Sequence, residues 1–291
     1  MAPDDDRAGD GAQEGASDGA GNGSGNGAGN GIGDGAAEGA KAAAAPCAGR
    51  LDRALVAAGL ADSRARAQRL IEGGCVSVAG NPVLRPAQPV AAGAPLAVAP
   101  MAEDAWVSRG ALKLIAALDR FGLIPSGHAL DLGASTGGFS EVLLARGAAR
   151  VTALDVGHGQ LHPRLAADPR VTAIEGVNAR AIPPGMVAPF DWLTADLSFI
   201  SLTKALPGPL TLARPGATAV VLVKPQFEVG RTGIARGGIV RDPALRKAAV
   251  DTVAAVFLTA GWQLYGTMES PITGGDGNVE HLLAARVTDT G

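Results

Sequence analysis

From residue 110 to the C-terminus, short apolar runs alternate with segments whose apolar residues recur at helical spacing. The apolar runs predict strands, and the amphipathic segments predict helices. This alternation is typical of an α/β domain with a mostly parallel sheet. The predicted helices are Ala111–Arg120, Gly138–Arg146, Ser201–Ala213 and Pro243–Ala260, and the predicted strands are Ala129–Leu132, Val151–Asp155, Val171–Ile174, Trp192–Ala195, Ala217–Val223, Gln263–Gly266 and Val279–Val287.

A smaller group of elements precedes this domain, over residues 50–98. A short helical pattern over Leu51–Leu60 is followed by a second one that ends at Glu72, with Asp62 or Ser63 as its cap. Glycine turns then separate short apolar strands, which predicts a small α+β unit. The predicted organisation is a tail at 1–49, the small unit at 50–98, a linker at 99–109 and the α/β domain at 110–291.

The first 49 residues consist mainly of Gly, Ala, Asp and Asn, and Ile32 is their one large aliphatic residue beyond Met1. Such a segment cannot bury enough apolar surface to offset its ordering entropy, so we expect it to be disordered. It holds eight acids and two bases, a charge of -6, and because the whole chain carries -3, the remainder carries +3. A mildly basic folded part permits nucleic-acid binding, and the alternative role for the tail is to compete with RNA for basic surfaces.

Composition also restricts the cellular setting. The chain has no apolar run near the ~18 residues that a membrane helix needs, and its acidic start does not resemble a secretory signal. Two cysteines, Cys47 and Cys75, make neither a disulfide framework nor a metal cluster, and His158 and His162 are too isolated to bind a metal. We expect a cytoplasmic protein with no metal and no membrane partner, and the sequence does not determine its oligomeric state.

The most informative segment follows the first predicted strand of the α/β domain. A strand, a loop of small residues, a helix and a second strand that ends in Asp155 form the nucleoside-binding half of a doubly wound sheet. The loop glycines allow close approach to the backbone, the helix N-terminus offers N–H groups, and Asp155 is placed to accept both ribose hydroxyls. The alternative is a tight structural turn. The candidate cofactor-binding residues are Asp131, Gly133, Ser135, Thr136, Gly137 and Asp155.

Ligands of open α/β sheets bind beyond the carboxyl ends of the strands. Asp131, Asp155, Asp196 and Lys224 are predicted at such ends, and the last two would face the reacting group. The chain has five lysines against twenty arginines, so a lysine that ends a wholly apolar strand is notable. Unlike arginine, lysine can lose its proton when it is desolvated or lies near another cation.

Residues 50–80 resemble the small RNA-binding module named after the fourth small-subunit ribosomal protein. In that family the second helix and the following turn carry arginines onto structured RNA. The resemblance therefore implies that Arg64, Arg66 and Arg69 contact RNA, with Arg53 nearby, mainly by shape and phosphate position. A solvated charged face is the alternative. The resemblance rests on Arg50, Leu51, Asp52, Gly59, Ser63, Arg64, Ala67, Leu70, Ile71, Gly74, Val76, Val78 and Gly80.

Five further motifs occur in order: Val107–Leu114, Leu130–Phe139, Ala195–Leu202, Val223–Glu228 and Gly277–Glu280. With the small module, they resemble the TlyA-type ribosomal RNA 2′-O-methyltransferases, often labelled hemolysins. The resemblance implies a Rossmann-like class I methyltransferase domain, S-adenosylmethionine as cofactor, and a cytidine ribose of ribosomal RNA or ribosomal subunits as substrate. The family's catalytic residues fall on Lys113, Asp196, Lys224 and Glu280. One departure is Asp104, where the family's linker often has arginine.

A sugar hydroxyl is a poor nucleophile at neutral pH, so a positioned base must take its proton. We predict that Lys224 is this base, that Asp196 orients it, and that Lys113 stabilises the developing oxyanion. Lys113 would favour the neutral form of Lys224, whereas Asp196 and Glu280 would favour its charged form, and the sequence does not decide between them. The alternatives are a helix-surface role for Lys113 and a strand-edge role for Glu280.

Three further assignments stay open on the sequence alone. Asn178 either contacts the adenine or forms a turn. Arg109 either contacts an RNA phosphate or lies on the surface. Phe199 and Phe227 either flank the substrate base or, the safer interpretation, pack in the core.

Several competing functions are disfavoured. The loop lacks the spaced Gly-x-Gly-x-x-Gly pattern of a nicotinamide dehydrogenase. Carbon methylation of a base by the cysteine type of enzyme needs a nucleophilic cysteine in the catalytic domain, and both cysteines precede that domain. Asp196–Phe199 differs from the Asn/Asp-Pro-Pro-aromatic motif of amine methylation. A non-catalytic RNA-binding or ribosome-assembly factor is a second hypothesis, which the presence of all four catalytic positions disfavours. A pore-forming hemolysin is a third hypothesis. It would need a membrane-active amphipathic or apolar segment, and the sequence shows none.

Overall fold

The computed structural model describes residues 40–230, 233–235 and 237–288. Most of the predicted acidic tail lies outside the described residues, but its last part does not. Strand β1 (Lys41–Ala44) pairs antiparallel with β6 (Pro95–Val98), so a part of the predicted tail joins the sheet of the small domain. An alanine-rich strand has no large apolar side chain that a sequence pattern would detect, and its pairing rests on backbone hydrogen bonds.

The small domain packs two helices against a four-stranded antiparallel sheet of order β1-β6-β3-β4. Its core consists of aliphatic side chains from both helices and the sheet, among them Leu51, Leu55 and Ile71. Ser63, not Asp62, caps the second helix, because its hydroxyl accepts a hydrogen bond from Arg66 N at 3.2 Å. The other elements are β2 (Gly49–Arg50), α1 (Leu51–Ala57), α2 (Arg64–Glu72), β3 (Val76–Val78), β4 (Asn81–Pro82) and β5 (Pro89–Val90), which pairs with β2.

The larger domain is built on a seven-stranded sheet of order β12-β13-β11-β10-β7-β8-β9. The five strands from β11 to β9 are parallel, and β13 runs antiparallel to both of its neighbours. Its strands are β7 (His128–Leu132), β8 (Arg150–Leu154), β9 (Val171–Ile174), β10 (Phe190–Ala195), β11 (Ala213–Val223), β12 (Trp262–Glu269) and β13 (His281–Val287), and its helices are α3 (Gly110–Phe121), α4 (Gly138–Ala145), α5 (Pro163–Ala166), α6 (Leu202–Ala205), α7 (Pro207–Leu210), α8 (Pro225–Glu228) and α9 (Pro243–Thr259).

The strand order reverses between β7 and β10. From β7 the chain proceeds outward through β8 and β9, and it then returns to β10 on the other side of β7. A crevice opens at such a reversal, outside the carboxyl ends of the two strands. The loops after β7 and β10 therefore face each other, as the α/β prediction requires.

One predicted element is wrong. The predicted helix Ser201–Ala213 is two one-turn helices, α6 and α7, and its last residue begins β11. Pro207 and Pro209 lack a backbone N–H and cannot continue a helix in mid-segment. The bounds of the other predicted helices and strands of this domain lie within four residues of the observed ones; the largest difference is at the start of β11, Ala213 where Ala217 was predicted.

Candidate active site

Two adjoining cavities lie at the carboxyl edge of the sheet, with volumes of about 310 and 470 Å³. Each is in the size range of small-molecule sites, roughly 300–1,000 Å³. Gly133, Ser135, Asp196 and Ser198 line both, so the two cavities form one cleft at the reversal of strand order. We call the first the small cavity and the second the large cavity.

Two lysine–carboxylate pairs lie at the small cavity, in which both lysines and Glu280 are buried and Asp196 is half-buried. Lys113 Nζ lies 2.5 Å from Glu280 Oε2, and Lys224 Nζ lies 2.6 Å from Asp196 Oδ1. Lys113, Asp196 and Lys224 line the cavity, while Glu280 is buried behind Lys113. The structure thus brings together all four residues that the sequence predicted as catalytic.

Four separate elements carry these side chains. Lys113 projects from the first turn of α3, and Asp196 and Lys224 follow the ends of the adjacent parallel strands β10 and β11. Glu280 precedes β13, whose first residue, His281, is the register partner of Val223. Because β13 runs antiparallel to β11, its beginning lies at the edge where β11 ends.

The glycine-rich loop packs directly against the Asp196 segment. Gly133 has a φ of +76°, and a Cβ placed there would lie 2.6 Å from the Asp196 carbonyl oxygen. Neither the left-handed backbone nor the close contact suits a residue with a side chain. Gly137, also in the left-handed region at +96°, turns the chain into α4. Ser135 and Thr136 line the small cavity between these glycines.

Asp155 lies at the mouth of the large cavity, where its carboxylate holds the loop. Its Oδ2 accepts a hydrogen bond from Ser135 N at 2.8 Å, and its Oδ1 accepts one from Gly157 N at 2.7 Å. Each carboxylate oxygen has a second lone pair, so these bonds leave acceptor capacity toward the cavity. This arrangement suits the ribose-binding role that the sequence predicted.

Asp131 does not reach the cleft, contrary to its predicted cofactor-binding position. It is fully buried inside β7, and its carboxylate accepts hydrogen bonds from Ser140 Oγ at 2.7 Å and Thr194 Oγ1 at 2.8 Å. Burial raises its pKa to about 6, against the opposing effect of the two hydroxyl donors. The strand extends through Leu132, so Asp131 lies within the strand and joins β7, β10 and α4 beneath the loop.

Asn178 lines the large cavity and also caps a one-turn 3-10 helix over Ala179–Ala181. Its Oδ1 accepts a hydrogen bond from Arg180 N at 3.0 Å, which leaves the amide NH₂ as the donor group of this side chain. Both sequence interpretations of Asn178, the turn and the cavity contact, are therefore compatible with its position.

Phe199 corrects the core-packing expectation. Its side chain is 93% exposed at the rim of the large cavity, and its φ of +64° is uncommon for a residue with a side chain. The ring centroid lies 5.4 Å from that of Phe227, at a tilt of 49°. The sequence did not reveal that Phe199 is exposed, because the motif around it, Ala195–Leu202, is largely apolar. Arg109, at the start of α3, lines the small cavity.

The arginines predicted to bind RNA are largely engaged by acidic side chains. Arg64 Nη2 lies 3.1 Å from Asp52 Oδ2, while Arg66 forms ion pairs with Glu103 and Asp104 of the linker. Arg69 Nε lies 3.7 Å from Glu103 Oε1. Arg53 is exposed on α1. The sequence analysis noted Asp104 as a departure but did not connect it to Arg66.

Comparison with known proteins matches both domains. Residues 106–287 match the FtsJ-like methyltransferase family, and residues 49–96 match the S4 domain family. The chain is similar to the 16S/23S rRNA (cytidine-2′-O)-methyltransferase TlyA of Mycobacterium tuberculosis, 48% identical over 239 residues that cover 81% of this chain and 89% of the relative. It is also similar to Hemolysin A of Brachyspira hyodysenteriae, 38% identical over 80% of this chain and 98% of the relative.

Among solved structures, a hemolysin from Streptococcus thermophilus is similar with a TM-score of 0.63 and 37% identity, covering 84% of this chain and 90% of that one. A hemolysin from Lactococcus lactis has a TM-score of 0.60 and 39% identity, over 62% of this chain and 88% of that one. Within the described residues, no helix combines the length and apolar character needed to cross a membrane.

The close approach at Gly133 predicts a specific loss of stability. Gly133→Ala is expected to lower the free energy of unfolding by more than the roughly 1–3 kcal/mol of backbone strain alone, because its Cβ meets a backbone oxygen. Gly185→Ala is the matched control, since Gly185 has a φ of +77° with open space around its Cβ. Urea denaturation of both variants measures the difference, and equal losses would contradict the contact.

The buried carboxylate of Asp131 predicts a pH-dependent stability. Its folded pKa of about 6 exceeds the unfolded value of about 3.9, so the folded state holds this proton longer and wild-type stability falls as pH rises between them. Asp131→Asn removes this titration. The free energy of unfolding of the variant, relative to wild type, should therefore rise by at most about 3 kcal/mol from pH 4 to pH 7. Denaturation at both pH values tests this, and no such rise would refute it.

Proposed function

This chain belongs to the FtsJ-like methyltransferase family and to its TlyA type, and from that premise we propose that it transfers a methyl group from S-adenosylmethionine to the 2′-hydroxyl of a cytidine in ribosomal RNA. The observation that carries the proposal is the pairing of two buried lysines, Lys224 with Asp196 and Lys113 with Glu280, at one cavity. In the ion pair Lys224 is an ammonium, and once it has lost its proton the amine is a base suited to a hydroxyl proton.

The cleft fits the cofactor on chemical grounds. Asp155 suits the ribose hydroxyls and the Asn178 amide suits the adenine, both in the large cavity. The loop from Gly133 to Gly137 leads into the N-terminus of α4, where backbone N–H groups favour a carboxylate. When bound, S-adenosylmethionine supplies an electrophilic methyl group on a positively charged sulfur.

The paired residues divide the chemistry between them. Lys224 Nζ accepts the proton of the 2′-hydroxyl as the oxygen begins its attack, and Asp196 holds the amine in place through its contact at 2.6 Å. Lys113 stabilises negative charge on the attacking oxygen, and Glu280 fixes Lys113 and compensates its buried charge. Because the reacting groups are held in one cavity, positioning supplies much of the acceleration.

Phe199 supports a single-stranded or unstacked nucleotide as the substrate. Its exposed ring at the rim of the large cavity offers a face on which a nucleobase can stack. Arg109 at the small cavity is placed to contact an adjacent phosphate. These two side chains extend the site from the reacting hydroxyl to the base and the backbone of the RNA.

The small domain adds the affinity for structured RNA. In the structure Arg66 pairs with the carboxylates of Glu103 and Asp104, and Arg69 lies near Glu103. A phosphate binds arginine through the same kind of charge-assisted hydrogen bond as a carboxylate does. We propose that RNA phosphates replace these carboxylates when the substrate binds. The acidic linker would then lower RNA affinity and make it more selective for a correctly placed phosphate.

Lys224→Ala is expected to lower methyl transfer by about 10²–10⁴-fold, the usual contribution of a general base. The assay is transfer of a tritiated methyl group to unmodified ribosomal subunits, with the label traced to an alkali-resistant cytidine. Lys204→Ala, which removes an exposed lysine on α6, is the matched control. Full activity of Lys224→Ala would refute the base, and absence of transfer by the wild type despite RNA binding would favour the non-catalytic RNA-binding factor.

Glu103→Gln combined with Asp104→Asn is expected to raise the affinity for a ribosomal RNA fragment by roughly fivefold, since two competing carboxylates are removed. Affinity should also fall more steeply with salt, because more phosphate contacts form. Fluorescence anisotropy across a salt series measures both. Asp251→Asn with Glu269→Gln removes the same charge from exposed positions elsewhere, and an equal gain there would attribute the effect to net charge alone.

A further inference from the structure

Ser198 is a second contact of the Lys224 amine. Lys224 Nζ donates a hydrogen bond to Ser198 Oγ at 2.9 Å, in addition to its ion pair with Asp196 at 2.6 Å. Ser198 lies two residues after Asp196 and lines both cavities. It was not among the residues that the sequence indicated, because a serine in an irregular loop has no pattern that distinguishes it.

Counting donors shows what this contact does. A neutral amine has two N–H groups and one lone pair, whereas an ammonium has three N–H groups. Ser198 Oγ accepts one N–H group of this amine. Asp196 Oδ1 lies 2.6 Å from the nitrogen as a charge contact, without the geometry of a hydrogen bond. The serine oxygen is therefore the acceptor that sets the rotation of the amine at the small cavity, which Lys224 lines.

The loop that carries Ser198 is fixed to the same segment as Lys224. Glu228, four residues after Lys224, accepts hydrogen bonds from Ser201 Oγ at 2.6 Å and from Leu202 N at 2.8 Å. Burial raises the pKa of Glu228, although these donors oppose the rise. These hydrogen bonds join the segment after β10, which carries Ser198, to the segment after β11, which carries Lys224. They hold the Ser198 hydroxyl at a defined place beside the amine.

We propose that Ser198 is a positioning residue whose hydroxyl accepts an N–H group of the Lys224 amine and so orients the lone pair of the amine, in its neutral form, toward the 2′-hydroxyl in the small cavity. The inference rests on the proposed function of Lys224 as the base. The charge contact with Asp196 sets no direction for the N–H groups, so without Ser198 the amine could rotate about its last carbon–nitrogen bond. A serine oxygen removes that freedom without adding a second charge.

The test compares Ser198→Ala and Ser198→Thr by steady-state methyl transfer to unmodified ribosomal subunits. Ser198→Ala should lower kcat by about tenfold, the effect of one hydrogen bond to a charged or reacting group, with KM for cofactor and RNA within about twofold of wild type. Ser198→Thr keeps the acceptor oxygen and should restore most of kcat. Ser126→Ala, at an exposed serine at the opposite end of the sheet, is the control.

The outcomes separate this inference from the function on which it rests. Full activity of Lys224→Ala in the same assay would overturn the base itself. An inactive Lys224→Ala beside a Ser198→Ala variant with wild-type kcat would overturn the role of Ser198 alone. A raised KM for the cofactor at unchanged kcat would make Ser198 a cofactor contact, and loss of kcat in both serine variants would mean that the acceptor oxygen is not what matters. Either result also overturns the inference.

Discussion

The structure of the catalytic domain depends on burying two lysine side chains, and each needs a carboxylate within contact distance. Lys113 and Lys224 are 8% and 9% exposed, and an ammonium taken out of water without a partner costs several kcal/mol. Glu280 and Asp196 provide these partners. The four residues come from different elements of the chain. Each lysine can contact its carboxylate only if α3 lies against the start of β13 and if β10 and β11 end side by side.

The strand directions explain how this requirement is met. Parallel neighbours β10 and β11 end at the same edge: Asp196 follows Ala195, whose register partner is Val221, and Lys224 lies three residues beyond Val221. A residue that precedes a parallel strand would lie at the opposite edge of the sheet. Reversal of β13 brings Glu280, which precedes its strand, to the catalytic edge. The antiparallel direction of β13 is therefore a condition for the ion pair between Lys113 and Glu280.

The sequence was most informative where chemistry coincides with strand ends. Apolar strands predicted the edge at which Asp155, Asp196 and Lys224 lie, because the end of a buried strand is visible as a change from apolar to polar residues. Asp131 was misplaced because the apolar Leu132 after it continues the strand, and a buried polar residue within a strand looks the same as one at its end.

Other features had no sequence signal at all. An alanine strand at Lys41–Ala44 lacks the large side chains that mark a core, so the sequence assigned this strand to the tail. The exposure of Phe199 follows from a left-handed backbone turn, which the apolar motif around it conceals. The pairing of Arg66 with Glu103 joins residues 37 positions apart, and charge counting within the small domain could not find it.

The linker shows how the two domains share one set of contacts. On one side Glu103 and Asp104 pair with Arg66 of α2. On the other, Val107 N donates a hydrogen bond to Glu141 Oε2 of α4 at 2.7 Å, and Ser108 Oγ lies where a side chain on the first residue of α4, Gly138, would clash. The segment that pairs with the arginines of α2 is thus also the segment that packs against the start of α4. In the displacement proposed above, the phosphate therefore acts on a chain that is anchored only a few residues away from the cleft.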